Sequence, residues 1–266
     1  MFIKLINLPA TTITFFRMFV PVAILLGYFC WKKIKLFKGN YGYLLLASSF
    51  NAVRMFLYFL AYLYTSVGNA VIMLFTWPIF ATIFSAIFLK EKVSLRNSAL
   101  IGMAFIGIII MFINKKFGIS NNDFIGMGAM LLSAILFALT MVIFKNKLKE
   151  YRKTETIFYQ NLVGAIIFLP FIFINKPLPT VIQTNISIVY GLLVGIGAYL
   201  LFFYALKKLK MSHYSLFTYW EVIVGVILGA IFFKEVITLN IIVGGMLIII
   251  AGILLRKKRE VITITD

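Results

Sequence analysis

Residues 42–64 of this 266-residue chain read GYLLLASSFNAVRMFLYFLAYLY, and Arg54 is the one charged residue among them. An apolar stretch of about 20 residues is long enough to cross the hydrocarbon core of a bilayer as an α-helix. Further apolar runs follow along the chain, separated by short loops rich in lysine and arginine. This pattern predicts an all-α membrane protein.

The overall composition supports a chain embedded in a lipid bilayer. Charged residues make up 13% of the sequence, whereas a soluble domain carries about 25%. The net charge is +18, but the cations stand at the ends of apolar runs and not along one solvated face, so we expect no nucleic-acid partner. Cys30 is the single cysteine, which excludes an intrachain disulfide and a cysteine-based metal cluster. We expect no metal and no cofactor.

The apolar runs predict nine transmembrane helices, at about 11–31, 42–64, 67–89, 97–113, 124–144, 156–174, 186–206, 213–233 and 240–255. Alternating the loops between the two sides places nineteen Lys and Arg residues on one side and five on the other. Because cationic loops are retained in the cytoplasm, we expect a multi-pass protein of the cytoplasmic (inner) membrane. Its C-terminus is then cytoplasmic and its N-terminus outside.

The sequence also contains an internal repeat. Residues 86–91 read AIFLKE and residues 230–235 read AIFFKE, an offset of 144 that also pairs Leu57 with Leu201 and Leu95 with Leu239. A common register over several helices indicates duplication. Five predicted crossings separate Glu91 from Glu235, so equivalent residues fall on opposite sides. The expected domains are therefore two inverted repeats, 1–119 and 120–266, as in many secondary transporters.

Several motifs in this pattern resemble the drug/metabolite transporter superfamily, EamA type. They are the Pro78-to-Glu91 spacing, the equal Val222-to-Glu235 spacing, Phe16-Arg17 in the first span, and the glycine-rich 244–252 stretch. The resemblance implies two inverted five-helix repeats and a transporter. The first half here has four predicted helices, and Met1–Lys4 resembles the tail of a missing first helix.

Arg54 heads one group of candidate substrate-binding residues. Asn51 and Tyr58 share its helical face at a spacing of three or four residues, together with Ser48 and Tyr62. A polar and aromatic stripe of this kind is expected to line a cavity rather than face lipid, and arginine can bind a carboxylate with two parallel hydrogen bonds. The alternative for Arg54 is a structural salt bridge with Glu221.

Glu221 is the one carboxylate within a predicted span, and intramembrane ionisable residues commonly mark transport pathways. It suits a group that binds an amine or couples transport to protons, or else a structural partner for Arg54. Trp77 and Trp220 either stack on a substrate or fill the core. For Arg17 we expect a side chain that reaches the membrane interface.

These residues predict a secondary active transporter that moves a small polar metabolite, such as an amino acid or related zwitterion, by alternating access. Arg54 and Glu221 would face one central cavity and bind the carboxylate and the amine. A homodimer is compatible with this interpretation. A non-catalytic scaffold is the alternative, and an intramembrane enzyme is disfavoured because the sequence contains no catalytic dyad.

The predicted topology can be tested by cysteine labelling. In a Cys30→Ser background, an impermeant thiol reagent applied to intact cells should label Glu235→Cys and leave Glu91→Cys unlabelled, because the first position is outside and the second cytoplasmic. Labelling of position 91 without position 235 would exclude the predicted orientation of the repeats.

Overall fold

The computed structural model describes residues 8–37, 39–112, 121–175, 178–233 and 237–256, and these residues form helices and no strands. Its contacts separate into two compact units. Unit 1 comprises Met1–Phe59 and Leu139–Lys208, and unit 2 comprises Leu60–Ala138 and Leu209–Asp266. Each unit therefore draws on both halves of the sequence.

The helices follow one another with short connections. In chain order they are α1 Ala10–Trp31, α2 Tyr41–Tyr64, α3 Val67–Leu74, α4 Trp77–Phe88, α5 Leu95–Phe112, α6 Asn121–Lys147, α7 Lys153–Phe168, α8 Pro170–Ile174 and α9 Val181–Tyr190, then a π-helical segment Gly191–Ala198 (the π-segment), α10 Tyr199–Lys208, α11 Met211–Thr218, α12 Trp220–Phe233 and α13 Leu239–Arg256.

The all-α, multi-pass character predicted from the sequence is confirmed. Within the described residues, seven helical stretches are long and apolar enough to cross a membrane: Thr11–Trp31, Tyr41–Tyr64, Gly68–Phe88, Leu95–Phe112, Phe124–Lys147, Lys153–Ile174 and Val181–Lys208; Leu239–Leu255 is a shorter apolar helix. The predicted span 213–233 covers most of α11 and all of α12. The count of nine spans stays a prediction, and Met1–Lys4, Lys234 and Glu235 lie outside the described residues.

In unit 1, α1 packs along α7 and against the π-segment. Small residues make the second contact close: a Cβ built on Gly195 would lie 2.9 Å from the Arg17 carbonyl oxygen, and one on Gly191 would lie 2.9 Å from that of Phe16. Lipid offers no hydrophobic drive for helices to associate, so such close backbone approach supplies much of the packing energy.

One end of unit 1 carries cations over aromatic rings. The Nζ atoms of Lys153 and Lys208 lie 4.3 and 5.1 Å from the centroid of the Tyr204 ring, and Lys147 Nζ lies 5.3 Å from that of Tyr43. Aromatic residues with cationic neighbours are typical of a membrane interface. The N-terminus of α7 and the C-terminus of α10 therefore lie at the same end of the unit, as the alternation of loops requires.

In unit 2, α5 packs along α13. The contact buries Ala104 and Ile108 of α5 and Ile248 and Ala251 of α13. It closes around a pair of glycines, because a Cβ on Gly107 would lie 2.6 Å from the carbonyl oxygen of Gly244. This backbone approach brings the two helices together.

Unit 2 also contains two interrupted helices that meet at their interruptions. The first stretch breaks at Phe75 and Thr76, and Pro78 then occupies the first turn of α4, where a missing backbone N–H costs least. The second breaks at Tyr219, between α11 and α12. The Tyr219 hydroxyl donates to the Phe75 carbonyl oxygen over 3.1 Å, so one break satisfies a backbone acceptor of the other.

A carboxylate from the first half of the sequence caps a helix of the second. Glu91 Oε2 accepts a hydrogen bond of 2.7 Å from the backbone N–H of Met211, the first residue of α11. A negative charge at a helix N-terminus is stabilising. Glu91 therefore has the helix-terminus role that its position at the end of a span suggests.

Two glycine substitutions should separate close packing from helix propensity. We expect Gly107→Ala to lower the free energy of unfolding by about 1–3 kcal/mol, because the new methyl group overpacks against Gly244. In Gly245→Ala of α13, where a Cβ meets nothing within 4 Å, the change should be near zero or stabilising by up to about 1 kcal/mol. Unfolding in detergent micelles measures both, and equal effects would contradict the proposed close approach.

Candidate functional site

Arg54 lies near the middle of α2, about 20 Å from one helix end and about 15 Å from the other at 1.5 Å per residue. Its side chain is 7% exposed. The Nε atom donates to Asn51 Oδ1 over 3.2 Å, and Nη2 lies 3.2 Å from Met55 Sδ. The predicted shared face of Asn51 and Arg54 thus corresponds to a direct hydrogen bond, which holds the guanidinium in place.

Asn51 carries this network across to α7. Its Nδ2 donates to the Gln160 carbonyl oxygen over 3.3 Å, and Ser48 Oγ donates to the same oxygen over 3.2 Å. The backbone N–H of Val163 in turn donates to Ser48 Oγ over 3.2 Å. Such bonds fix the position of α7 beside the buried arginine, because unpaired polar groups in hydrocarbon are costly.

Gln160 itself adds an unusual group to this region. Its side chain is 1% exposed, and neither Nε2 nor Oε1 has a hydrogen-bond partner within the part of the chain that the structure describes. A buried amide without partners costs free energy, and native proteins keep few such groups. The backbone carbonyl of Gln160, and not its side chain, accepts the hydrogen bonds from α2.

Arg17 joins the same region from α1. Its Nη2 donates to Tyr199 Oη over 2.7 Å, and its Cζ lies 5.7 Å from the centroid of that ring. Its Nη1 lies 3.9 Å from Met55 Sδ. The expected reach of Arg17 to the membrane interface is therefore wrong, because Tyr199 and Met55 hold the guanidinium beside α2 and α10.

Arg17 and Arg54 are neighbours, since both guanidinium groups lie against the sulfur of Met55. Tyr58 and Tyr199 lie within electrostatic range of both arginines. We name Arg17, Asn51, Arg54, Met55 and Tyr199 the arginine cluster. Two cations and several neutral polar groups suit the binding of an oxyanion.

Trp77, Trp220 and Glu221 belong to unit 2. Trp77 is 5% exposed, and its ring packs 4.7 Å from Phe137 and 6.4 Å from Tyr214, measured between centroids. These contacts are those of a core residue. Substrate stacking by Trp77 stays a prediction.

Trp220 and Glu221 form the first turn of α12, directly after the break at Tyr219. The Trp220 indole lies against Gly252 of α13, and the Glu221 side chain is exposed. The N-terminus of α12 favours a negative charge at Glu221. Arg54 belongs to unit 1 and Glu221 to unit 2, and a cavity shared by them stays a prediction.

Arg17, Met55 and Tyr199 are the members of the cluster that the sequence did not identify as substrate-binding residues. The offset of 144 pairs Met55 with Tyr199, and both of these residues contact Arg17. The signal in the sequence is thus a cation within a predicted span, Arg17. The residues that contact it, Met55 and Tyr199, occupy equivalent positions of the two repeats. The π-segment that precedes Tyr199 had no such signal in the hydropathy pattern.

Comparison with known proteins identifies the family. The model of the EamA-like transporter family matches residues 1–113 and 124–256. This chain belongs to the EamA-like transporter family. The resemblance to the drug/metabolite transporter superfamily is therefore confirmed.

Curated relatives of this EamA-like chain are named as transporters. Uncharacterized transporter YoaV of Bacillus subtilis is 24% identical over 68% of this chain, and the match covers 63% of that protein's length. Solute carrier family 35 member G1 of Mus musculus is 26% identical over 93% of this chain and 71% of its own. The pseudopaline exporter CntI of Pseudomonas aeruginosa is 25% identical over 96% of this chain and 88% of its own length.

A solved crystal structure supports the fold of this EamA-like chain. It superposes with a TM-score of 0.79 at 15% sequence identity, over 92% of this chain and 88% of the other. At this identity the likeness establishes a shared fold and no shared substrate.

The hydrogen bonds that link Arg54 through Asn51 to α7 can be tested with two substitutions in α2. Asn51→Ala leaves Arg54 Nε without its acceptor and the Gln160 carbonyl without one of its donors, so we expect a loss of about 1–3 kcal/mol in the free energy of unfolding. In the control Ser49→Ala, the hydroxyl lost donates to Leu45 O within the same helix, and the effect should be near zero. Unfolding in detergent measures both variants, and equal values would contradict a bridging role for Asn51.

Proposed function

We propose that this EamA-like membrane transporter is a secondary active transporter that moves a small carboxylate-bearing metabolite by alternating access. The observation that carries the proposal is the position of Arg54, buried near the middle of a membrane-spanning helix and held by Asn51. A cation at this depth of the membrane carries a large desolvation cost, and ionisable residues in such positions commonly have a function. A guanidinium with a fixed orientation can instead bind the carboxylate of a substrate with two hydrogen bonds.

The boundaries of the helices support two repeats. Helix α3, Val67–Leu74, and helix α11, Met211–Thr218, begin and end 144 residues apart, and helices α5 and α13 begin 144 residues apart, at Leu95 and Leu239. This is the offset at which the two halves of the sequence match. Such coincidence favours a duplicated unit. Inverted repeats are a common basis of alternating access, because each half can move against the other.

The arginine cluster lies where helices of the two halves meet within unit 1. Arg17 and Arg54 come from α1 and α2, whereas Tyr199 begins α10 and Gln160 belongs to α7. Substrate sites of inverted-repeat transporters lie near the bilayer midplane at the interface between the repeats. This placement supports Arg54, Asn51 and Tyr58 as substrate-binding residues.

The paired helix breaks support a second substrate contact in unit 2. Broken helices at corresponding positions of two repeats often mark the binding region of a transporter. Trp220 and Glu221 follow one of these breaks, and Trp77 follows the other. In our proposal Glu221 binds the amine of a zwitterionic substrate or exchanges a proton with it. One relative is named a pseudopaline exporter, which supports a small-molecule substrate.

The role of Glu221 can be tested by removing its charge without changing its shape. We expect Glu221→Gln in proteoliposomes to abolish substrate uptake that depends on a proton gradient, because an amide cannot exchange the proton. The control is Glu150→Gln: Glu150 lies in the turn after α6, where it pairs with Lys147, and its loss should leave uptake unchanged. If Glu221→Gln transports like the parent protein at every pH, the role proposed for Glu221 is wrong.

A matched pair of arginine variants tests the contact with the carboxylate. Arg54→Lys keeps the positive charge but loses the planar fork, so the KM for a carboxylate substrate should rise by about tenfold or more. Arg152→Lys, at an exposed position before α7, should leave the KM unchanged. Uptake of a radiolabelled substrate measures both, and an unchanged KM in Arg54→Lys would contradict direct binding.

A further inference from the structure

We propose that Arg17 is a second direct contact for the substrate, and that the arginine cluster therefore selects a small dicarboxylate. An acidic amino acid is the case in which the dicarboxylate also carries an amine. The proposal rests on the proposed function, in which Arg54 binds one carboxylate, and it deepens that function by naming the class of substrate. Neither the family nor the names of the relatives specify such a substrate.

Two cations lie close together within helices that are long and apolar enough to cross a membrane. Met55 Sδ lies 3.9 Å from Arg17 Nη1 and 3.2 Å from Arg54 Nη2. Coulomb repulsion between like charges is stronger in a low-dielectric medium than in water. A dicarboxylate offsets the repulsion with one negative charge for each guanidinium, whereas a monocarboxylate supplies only one.

Neutral groups hold the Arg17 side chain in place. Tyr199 Oη accepts from Nη2 at 2.7 Å, and the tyrosine ring lies beside the guanidinium. The hydroxyl, the ring and the Met55 sulfur are all neutral, so these contacts orient the cation without neutralising it. The side chain is half-buried, whereas that of Arg54 is 7% exposed. Arg17 is thus positioned rigidly yet is the more accessible of the two cations.

The π-segment determines the position of Tyr199. Tyr199 follows the π-segment directly, and π-helical turns occur frequently at functional sites. The π-segment packs on α1 at Arg17 itself, since a Cβ on Gly195 would lie 2.9 Å from the Arg17 carbonyl oxygen. The same contact therefore fixes the backbone of Arg17 and the start of α10, and so fixes the distance between Arg17 and Tyr199.

An independent observation is the amide of Gln160. Arg54 donates to Asn51, and Asn51 donates to the Gln160 carbonyl, which places Gln160 next to the cluster. Both polar atoms of its buried amide lack a hydrogen-bond partner among the described residues. Such an amide costs free energy unless a further polar group pairs with it.

Binding measurements on the full-length protein in detergent test the proposal with matched ligands. L-aspartate and L-asparagine have nearly the same shape and differ by one carboxylate, and succinate has two carboxylates without an amine. Isothermal titration should give a Kd for L-aspartate and succinate about tenfold or more below that for L-asparagine, as expected for one added charged contact. No preference for the second carboxylate overturns the proposal.

Variants of Arg17 assign the preference to this residue. Arg17→Gln should weaken L-aspartate binding by about tenfold or more and leave L-asparagine binding nearly unchanged, so that the preference is lost. Arg17→Lys should retain part of it, because the charge remains. Arg152→Gln, a matched control at an exposed position of unit 1, should retain all of it. A parallel loss for both ligands in Arg17→Gln would assign Arg17 a structural role and overturn the proposal.

Tyr199→Phe provides a milder variant if Arg17→Gln does not fold. It keeps the ring and removes the hydroxyl that orients Nη2, and the preference for L-aspartate should fall by severalfold. An unchanged preference in both Tyr199→Phe and Arg17→Lys overturns the proposal. Transport separates it from the proposed function: uptake of L-asparagine and L-aspartate with equal KM leaves a transporter without this selectivity. If L-aspartate binds in a manner that depends on Arg17 but no metabolite is taken up, the dicarboxylate site is supported and the transporter mechanism is contradicted.

Discussion

Two guanidinium groups lie against one methionine sulfur within helices long and apolar enough to cross a bilayer, and much of unit 1 is arranged around them. Hydrocarbon supplies no hydrogen bonds to such groups, so the protein must provide each contact itself. Asn51 does so for Arg54 and ties α2 to α7, and Tyr199 does so for Arg17 and ties α1 to α10. The same bonds that satisfy the charges therefore set the positions of four helices.

Small residues allow the helices to come close enough for these contacts. Gly195 brings the π-segment against the backbone of Arg17, and Gly107 with Gly244 brings α5 against α13. Since lipid chains are as apolar as leucine, association of these helices depends on close packing and on polar contacts between them. The polar network of unit 1 and the glycine contacts of unit 2 are two answers to the same constraint.

The hydropathy pattern was sufficient to predict the fold class, since apolar runs of this length have few alternatives to membrane-spanning helices. The shared face of Asn51 and Arg54 was also predictable, because residues three apart on a helix are neighbours. The break at Tyr219 was not: Pro78 marks the first interruption, whereas the second contains no proline. Arg17 was misassigned because its partner Tyr199 lies 182 residues away, and helical spacing carries no information about such a contact.

The central claim is that both intramembrane arginines bind carboxylates of the substrate. Solid-state NMR of the protein in lipid bilayers, with ¹⁵N-labelled arginine and succinate ¹³C-labelled at both carboxylates, measures this most directly through the distance-dependent dipolar coupling. If both arginines bind carboxylates, the carboxylate carbons should couple to two arginine side chains. One of these couplings should disappear in Arg17→Lys and the other in Arg54→Lys. Coupling to a single arginine, or to none, would contradict the central claim.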